Sequence, residues 1–194
     1  MASLLKKYEQ RASNAGVNAY TSQARTWFLS NVYTLTRANR NRLLRDSEAV
    51  KRTGFISGSM FMFIYDPKGK KTLPYYDKFP LSIMLGPSKG GFTGINLHYL
   101  RPRTRALFLE KILEYTNNNF FDETTKFNVT YQLLKSVARL KEFKPCLKKY
   151  LYTQVRSNFM EVPAEYWETA IFLPTEQFAK ADKSSVFTIS AREY

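Results

Sequence analysis

Short apolar runs broken by Gly/Pro turns occupy the middle of the chain, and apolar residues at helical spacing lie on either side of them. Residues 60–65, Met-Phe-Met-Phe-Ile-Tyr, favour a strand and stop at the turn signal Asp66-Pro67-Lys68-Gly69-Lys70. A second run, 79–85, ends at Gly86-Pro87-Ser88-Lys89-Gly90-Gly91. A third, 92–97, carries Gly94, which inside a strand marks a bulge or a sharp bend. Residues 149–162 are rich in β-branched and aromatic side chains and predict a late strand that returns to close the sheet. Short strands with tight basic turns predict a small, strongly curved antiparallel sheet, an SH3-like barrel.

The flanks read as helices. Ser3 is placed to cap a short helix over 4–12, ended by Asn14-Ala15-Gly16. A longer one begins at Thr21 or Ser22, with Trp27, Phe28, Val32, Leu35, Leu43 and Leu44 as a loose stripe. Between the third strand and the last, 104–115 and 129–140 each carry an apolar face, and Lys144-Pro145-Cys146 stops the second. Pro163 fits the first turn of a short helix over 164–172, whose Trp167 packs back on the sheet. Pro174-Thr175-Glu176 opens a last short helix, and the tail from Lys183 is loose. The fold class is α+β: a small SH3-like antiparallel β-barrel with N-terminal helices and a helical insertion. Its parts are a basic helical arm (1–53), the barrel domain with inserted helices (54–182) and a loose tail (183–194).

With 194 residues, 44% of them hydrophobic and 15% aromatic, the chain can bury a core and is not of disordered composition. No apolar run approaches the ~20 residues of a membrane span, and the start lacks the pattern of a signal peptide. The single cysteine, Cys146, excludes an internal disulfide and fits a reducing compartment. Charge changes the picture more. The net charge is +14, and it is uneven: +7 over residues 1–53, +5 over 54–110 and +2 over 111–194. An excess on the arm and the strand turns points to a polyanion, with a solvated basic surface as the plain alternative.

Candidate contacts follow from that distribution. Arg37, Arg40, Arg42 and Arg45 cluster at the end of the arm, where guanidinium forks suit phosphate oxygens. Lys68, Lys70 and Lys71 share one turn and act as point charges without sequence information. Arg101, Arg103 and Arg105 alternate around Pro102 as further phosphate contacts. Tyr75 and Tyr76 interleave with these cations, as stacking platforms for bases do; filling a small core is the competing role. His98, the only histidine, reads as a structural hydrogen-bonding group. The chain has no Cys/His set for zinc, no Walker or dinucleotide glycine pattern, and no carboxylate cluster for magnesium. A non-enzymatic protein without metal or cofactor is expected.

Three stretches carry a resemblance. Phe63-Ile64-Tyr65-Asp66-Pro67-Lys68, Leu73-Pro74-Tyr75-Tyr76-Asp77-Lys78-Phe79-Pro80-Leu81 and Gly94-Ile95-Asn96-Leu97-His98-Tyr99-Leu100 resemble the DNA end protectors, or virion structural proteins, of T4-like tailed bacteriophages. The similarity continues through Phe143-Lys144-Pro145-Cys146 and Val162-Pro163-Ala164-Glu165-Tyr166-Trp167, covering roughly residues 55–180. It implies a virion protein, present in the host cytoplasm during assembly, that binds the ends of packaged double-stranded DNA and shields them from host exonuclease. Its partners are then DNA ends and other phage virion proteins, with no membrane. The alternative reading is a structural neck, tail or baseplate protein that uses the barrel as a docking module. A ribonuclease-like barrel is a third, and the lack of acid/base pairs counts against it.

Overall fold

The computed structural model describes residues 4–18, 21–31, 50–52, 54, 56–116, 132, 134, 136 and 141–192. Helices α1 (Leu4–Asn14) and α2 (Ser22–Asn31) precede strands β1 (Val50–Arg52), β2 (Met60–Met62), β3 (Tyr76–Asp77), β4 (Leu81–Ser88) and β5 (Gly91–Asn96). Helix α3 (Pro102–Thr116) follows, then β6 (Leu147–Leu151), β7 (Phe159–Val162), α4 (Trp167–Phe172), β8 (Phe178–Ala179) and α5 (Lys183–Arg192).

Strand β2 explains the unbroken apolar run at 60–65, because both of its faces are buried. Met60 and Met62 enter a large core shared with the helices, where Phe28 of α2 stacks on Phe172 of α4 at 5.3 Å. Phe61 and Phe63 point the other way, into a small aromatic core with Tyr65, Met84, Phe92, Tyr150 and Phe159. Phe63 sits at its centre, 5.1–5.7 Å from the rings of Tyr150, Phe159 and Phe92, mostly edge to face. Helix α2 begins where Thr21 Oγ1 accepts from the Ala24 amide at 3.1 Å. An ion pair of 2.6 Å, Arg25–Glu110, ties α2 to α3.

Six strands pair in the order β1-β7-β2-β4-β5-β6, antiparallel throughout, and a separate pair joins β3 to β8. The expected single closing strand over 149–162 is two strands. β6 adds to the outside of β5, whereas β7 lies between β1 and β2. Residues 152–158 cross from one to the other, held by the Arg156 amide on the Ile64 carbonyl at 2.8 Å and the Asp66 amide on the Gln154 carbonyl at 3.0 Å. The sheet therefore does not close into the expected barrel. The late segment divides its pairing between β5 on one side and β1 and β2 on the other, and β1 and β6 remain as edges among the described residues.

Smaller differences have local causes. β4 runs on through Gly86-Pro87-Ser88, which leaves only Lys89-Gly90 as the turn, with Gly90 at φ +73°. A bulge between Met84 and Gly86 of β4 lies opposite Gly94, so the bend expected there is on the partner strand. A Cβ on Gly94 would crowd Ser82 and the Ile83 carbonyl, which accounts for the glycine. Pro174-Thr175-Glu176 begins no helix; the Thr175 amide donates to the Leu173 carbonyl at 2.8 Å, and the chain runs on without regular structure into β8. The tail expected to be loose is α5, capped by Asp182, which accepts from the Ser185 amide at 2.9 Å, and anchored by buried Val186 and Ser190. Of the helix predicted over 129–140, residues 132, 134 and 136 are described; they are helical, and Leu134 is buried.

Candidate nucleic-acid interface

The segment after β2 doubles back through successive turns, with the Pro67 carbonyl accepting from Lys70 at 3.1 Å and the Gly69 carbonyl from Thr72 and Leu73 at 3.0 Å. Lys180, just after β8, fastens its far end by donating to the carbonyls of Lys71 and Leu73 at 2.8 and 2.9 Å. Facing these turns is the edge strand β6, whose sequence Leu-Lys-Lys-Tyr-Leu suits an edge that discourages further strand pairing. Between them lies a cavity of about 440 Å³. Five tyrosines line it (Tyr65, Tyr75, Tyr76, Tyr99 and Tyr150), together with Lys68, Lys148 and Lys149 and the apolar Pro67, Leu73 and Leu151.

The rings are held from behind. Tyr65 and Tyr150 meet edge to face at 4.9 Å, and the Tyr65 hydroxyl accepts from the Leu151 amide at 3.2 Å. Tyr75 leans on Tyr99 at 6.0 Å, and the Lys148 ammonium sits 4.0 Å over the Tyr99 ring, a cation–π contact. Burial, with Asp77 and Tyr75 alongside, raises the Tyr99 phenol well above its ordinary pKa. Burial does the same to Tyr150, with Tyr99 and Asp77 adding to it. The Asn96 side chain pulls weakly the other way, yet the buried Tyr150 hydroxyl makes no hydrogen bond of good geometry. These phenols stay neutral, and Lys68, Lys148 and Lys149 outnumber the one lining carboxylate, Asp77, so the cavity is net positive.

Beneath the rings is a polar network. Asp77 Oδ2 lies 2.6 Å from His98 Nδ1 and accepts from Asn96 Nδ2 at 3.1 Å, while its Oδ1 accepts from the Phe79 amide at 3.0 Å. His98 Nε2 reaches Thr175 Oγ1 at 3.0 Å. Burial pushes the Asp77 carboxyl up, but His98 and these hydrogen bonds outweigh it and hold the carboxyl below its usual range. His98 and Thr175 are fully enclosed, so the set joins β3, the end of β5 and the approach to β8 and presents no nucleophile. His98 thus has the structural role expected of it. Among the described residues no three His, Cys, Asp or Glu side chains gather to hold a metal ion.

The predicted contact residues are dispersed. Arg37, Arg40, Arg42 and Arg45 lie outside the described residues. Tyr75, Tyr76 and Lys68 come together on the cavity. Lys70 is exposed, but its ammonium is bound by Asp66 at 2.9 Å, and Lys71 is exposed beside it. Arg101 and Arg103 are exposed at the start of α3, away from the cavity lining. Arg105 departs from expectation: it is 1% exposed and donates to the carbonyls of Leu100, Ile171 and His98 at 2.8, 3.1 and 3.3 Å. Glu176 lies 3.7 Å away and offsets part of the cost of burying that charge, which leaves Arg105 no face for a phosphate. Sequence reasoning missed Lys148, Lys149, Tyr65 and Tyr150 as site residues. Their one local signal was the Lys-Lys-Tyr string inside a strand pattern.

A family model described as phage T4 terminal DNA protecting protein matches residues 2–191. No curated protein and no solved structure matches the chain.

Proposed function

The chain belongs to the phage T4 terminal DNA protecting protein family, and on that premise we propose that it caps the ends of packaged double-stranded DNA through the lysine-rimmed aromatic cavity and the basic surface around it. The observation that carries this reading is the meeting of five tyrosines with Lys68, Lys148 and Lys149 in one recess. Lysines there supply attraction to phosphate that is indifferent to sequence and weakens with salt. Rings supply a contact that exposed bases can use and a continuous duplex cannot. Once the terminus is occupied, a host exonuclease has nothing to engage.

Arg37, Arg40, Arg42, Arg45, Arg101 and Arg103 are proposed as further phosphate contacts, and Lys71 as one on the same turn as Lys68. Residence in the virion, bound to the genome, follows from the same reading, as do assembly in the host cytoplasm and contacts with other virion proteins. No helix among the described residues is long and apolar enough to cross a membrane. As for the fold, the order β7-β2-β4-β5-β6 with its 3-10 crossover is read as an SH3-like roll opened at the β6 edge; the crossover ties to Ile64 and Asp66 support it.

The test is digestion of blunt linear DNA by a processive exonuclease, beside binding to linear and circular duplex at two salt concentrations. Protection of linear DNA, with tighter binding to linear than to circular molecules, is expected. No protection at saturating binding, or equal binding to circles, would overturn it and favour a neck, tail or baseplate docking role.

A further inference from the structure

We infer that the cavity takes the terminal nucleotide of one DNA strand in unpaired form, its base among the tyrosine rings and its phosphates at the lysines. The inference rests on the end-capping reading and supplies what that reading leaves open, namely how an end is told from the middle of a duplex.

Size comes first. About 440 Å³ lies in the range of recesses that enclose one small ligand, commonly ~300–1,000 Å³. A recess lined by rings rewards the faces of a base, and in a duplex those faces are covered by the stack. An interior base would have to be unpaired and turned out, at a cost of a few kcal/mol, whereas a terminal base has already lost one stacking neighbour and opens more cheaply. The recess is therefore selective for ends without reading any sequence.

The polar groups fit the same occupant. Lys68 arrives from the turn after β2 and Lys149 from β6, and neither has a carboxylate partner among the described residues. Two cations carried by different elements suit the phosphate that joins the terminal nucleoside to its neighbour and, beside it, the next phosphate along the strand or the terminal phosphate of a 5′ end. Lys148 is committed to the Tyr99 ring, where it fixes a wall and adds positive charge. Because every base has a π-face, the site accepts all four.

Three duplexes of equal length and sequence test this: one closed by hairpin loops at both ends, one blunt, and one with a single unpaired nucleotide at each end. Binding to the unpaired form should exceed binding to the closed form by about ten-fold or more, the blunt form lying between. Replacing Tyr75 and Tyr76 together by alanine should collapse that ratio and leave binding to the closed duplex nearly unchanged. The double phenylalanine variant, which keeps the rings, should retain it, and this separates lost stacking from lost folding. Equal binding to the blunt and the unpaired duplex, both above the closed form, by a wild-type protein that still protects blunt ends from exonuclease would overturn the unpaired-nucleotide site and leave end capping standing; equal binding to all three would remove both readings. Absence of protection would overturn both.

Discussion

Asp77 and His98 meet at 2.6 Å with both side chains closed off from solvent, joining the strand that runs along the cavity floor to the end of β5. Asp77 is held below its ordinary pKa of 3.8, so the unfolded chain takes up that proton first as pH falls. Its contribution is complete above about pH 4 and is lost as acidity moves through the depressed folded value. Glu176, held below its ordinary 4.5 despite burial by Arg105, acts in the same direction. Melting temperature should fall on acidification below about pH 4.5, and Asp77→Asn should flatten that fall. Asp77→Ala should cost about 3–5 kcal/mol at neutral pH, because it strands buried partners. Parallel acid titrations for wild type and Asp77→Asn would refute the assignment.

The three alternating arginines before and within α3 should behave unequally. Arg105→Ala removes a buried guanidinium from three carbonyls and from Glu176 and should cost about 3–5 kcal/mol. Arg101→Ala and Arg103→Ala should change stability by less than about 0.5 kcal/mol, since both are exposed. Chemical denaturation of the three variants decides it, and similar losses in all three would contradict the placement.

Lysines on the cavity should set the salt dependence of DNA binding. Replacing Lys68 and Lys149 by alanine should reduce the slope of log affinity against log salt by about 0.9 for each phosphate that is no longer neutralised. Lys70→Ala should matter less, because Asp66 already neutralises that ammonium at 2.9 Å. Titrations of linear duplex at several salt concentrations make the comparison. A steeper loss for Lys70→Ala would move the contact surface away from the cavity.

Trp167 opens α4 and lies 8% exposed, its indole Nε1 donating to the Val162 carbonyl at 2.9 Å. Trp167→Ala should destabilise by about 3–5 kcal/mol, through the missing ring and the carbonyl left without its donor. A thermal melt within a degree of wild type would show that the ring contributes little to the core.

Gly91 is confined for a different reason. A Cβ there would collide with the Tyr150 carbonyl across the β5–β6 ladder. Gly91→Ala should destabilise by about 1–3 kcal/mol as overpacking and loosen β6 locally. Faster amide exchange at residues 147–151 than in wild type is the expected sign; unchanged exchange would mean that the ladder yields without cost.

Local pattern was enough to place most elements, because strand and helix periodicity is written in residues a few positions apart. It placed the apolar runs that became β2, β4 and β5, the helices at the N-terminus and after Pro102, and the bulk positive charge. It also gave His98 its structural role, since a single histidine beside Asn96 and Tyr99 offered no partner for chemistry. Tertiary structure decided the rest. Arg101, Arg103 and Arg105 look alike in sequence, and only the packing of α3 against Ile171 and the His98 carbonyl turns the third inward. The stretch 149–162 looked like one strand, and only the competition of β5 and β2 for its two halves split it and kept the sheet open. The cavity exists because pairing between residues 91–95 and 147–151 carries Lys148, Lys149 and Tyr150 to the turns after Tyr65. Those partners stand some eighty residues apart in the chain, so the contacts that make the site depend on strand register, which no local string of residues contains.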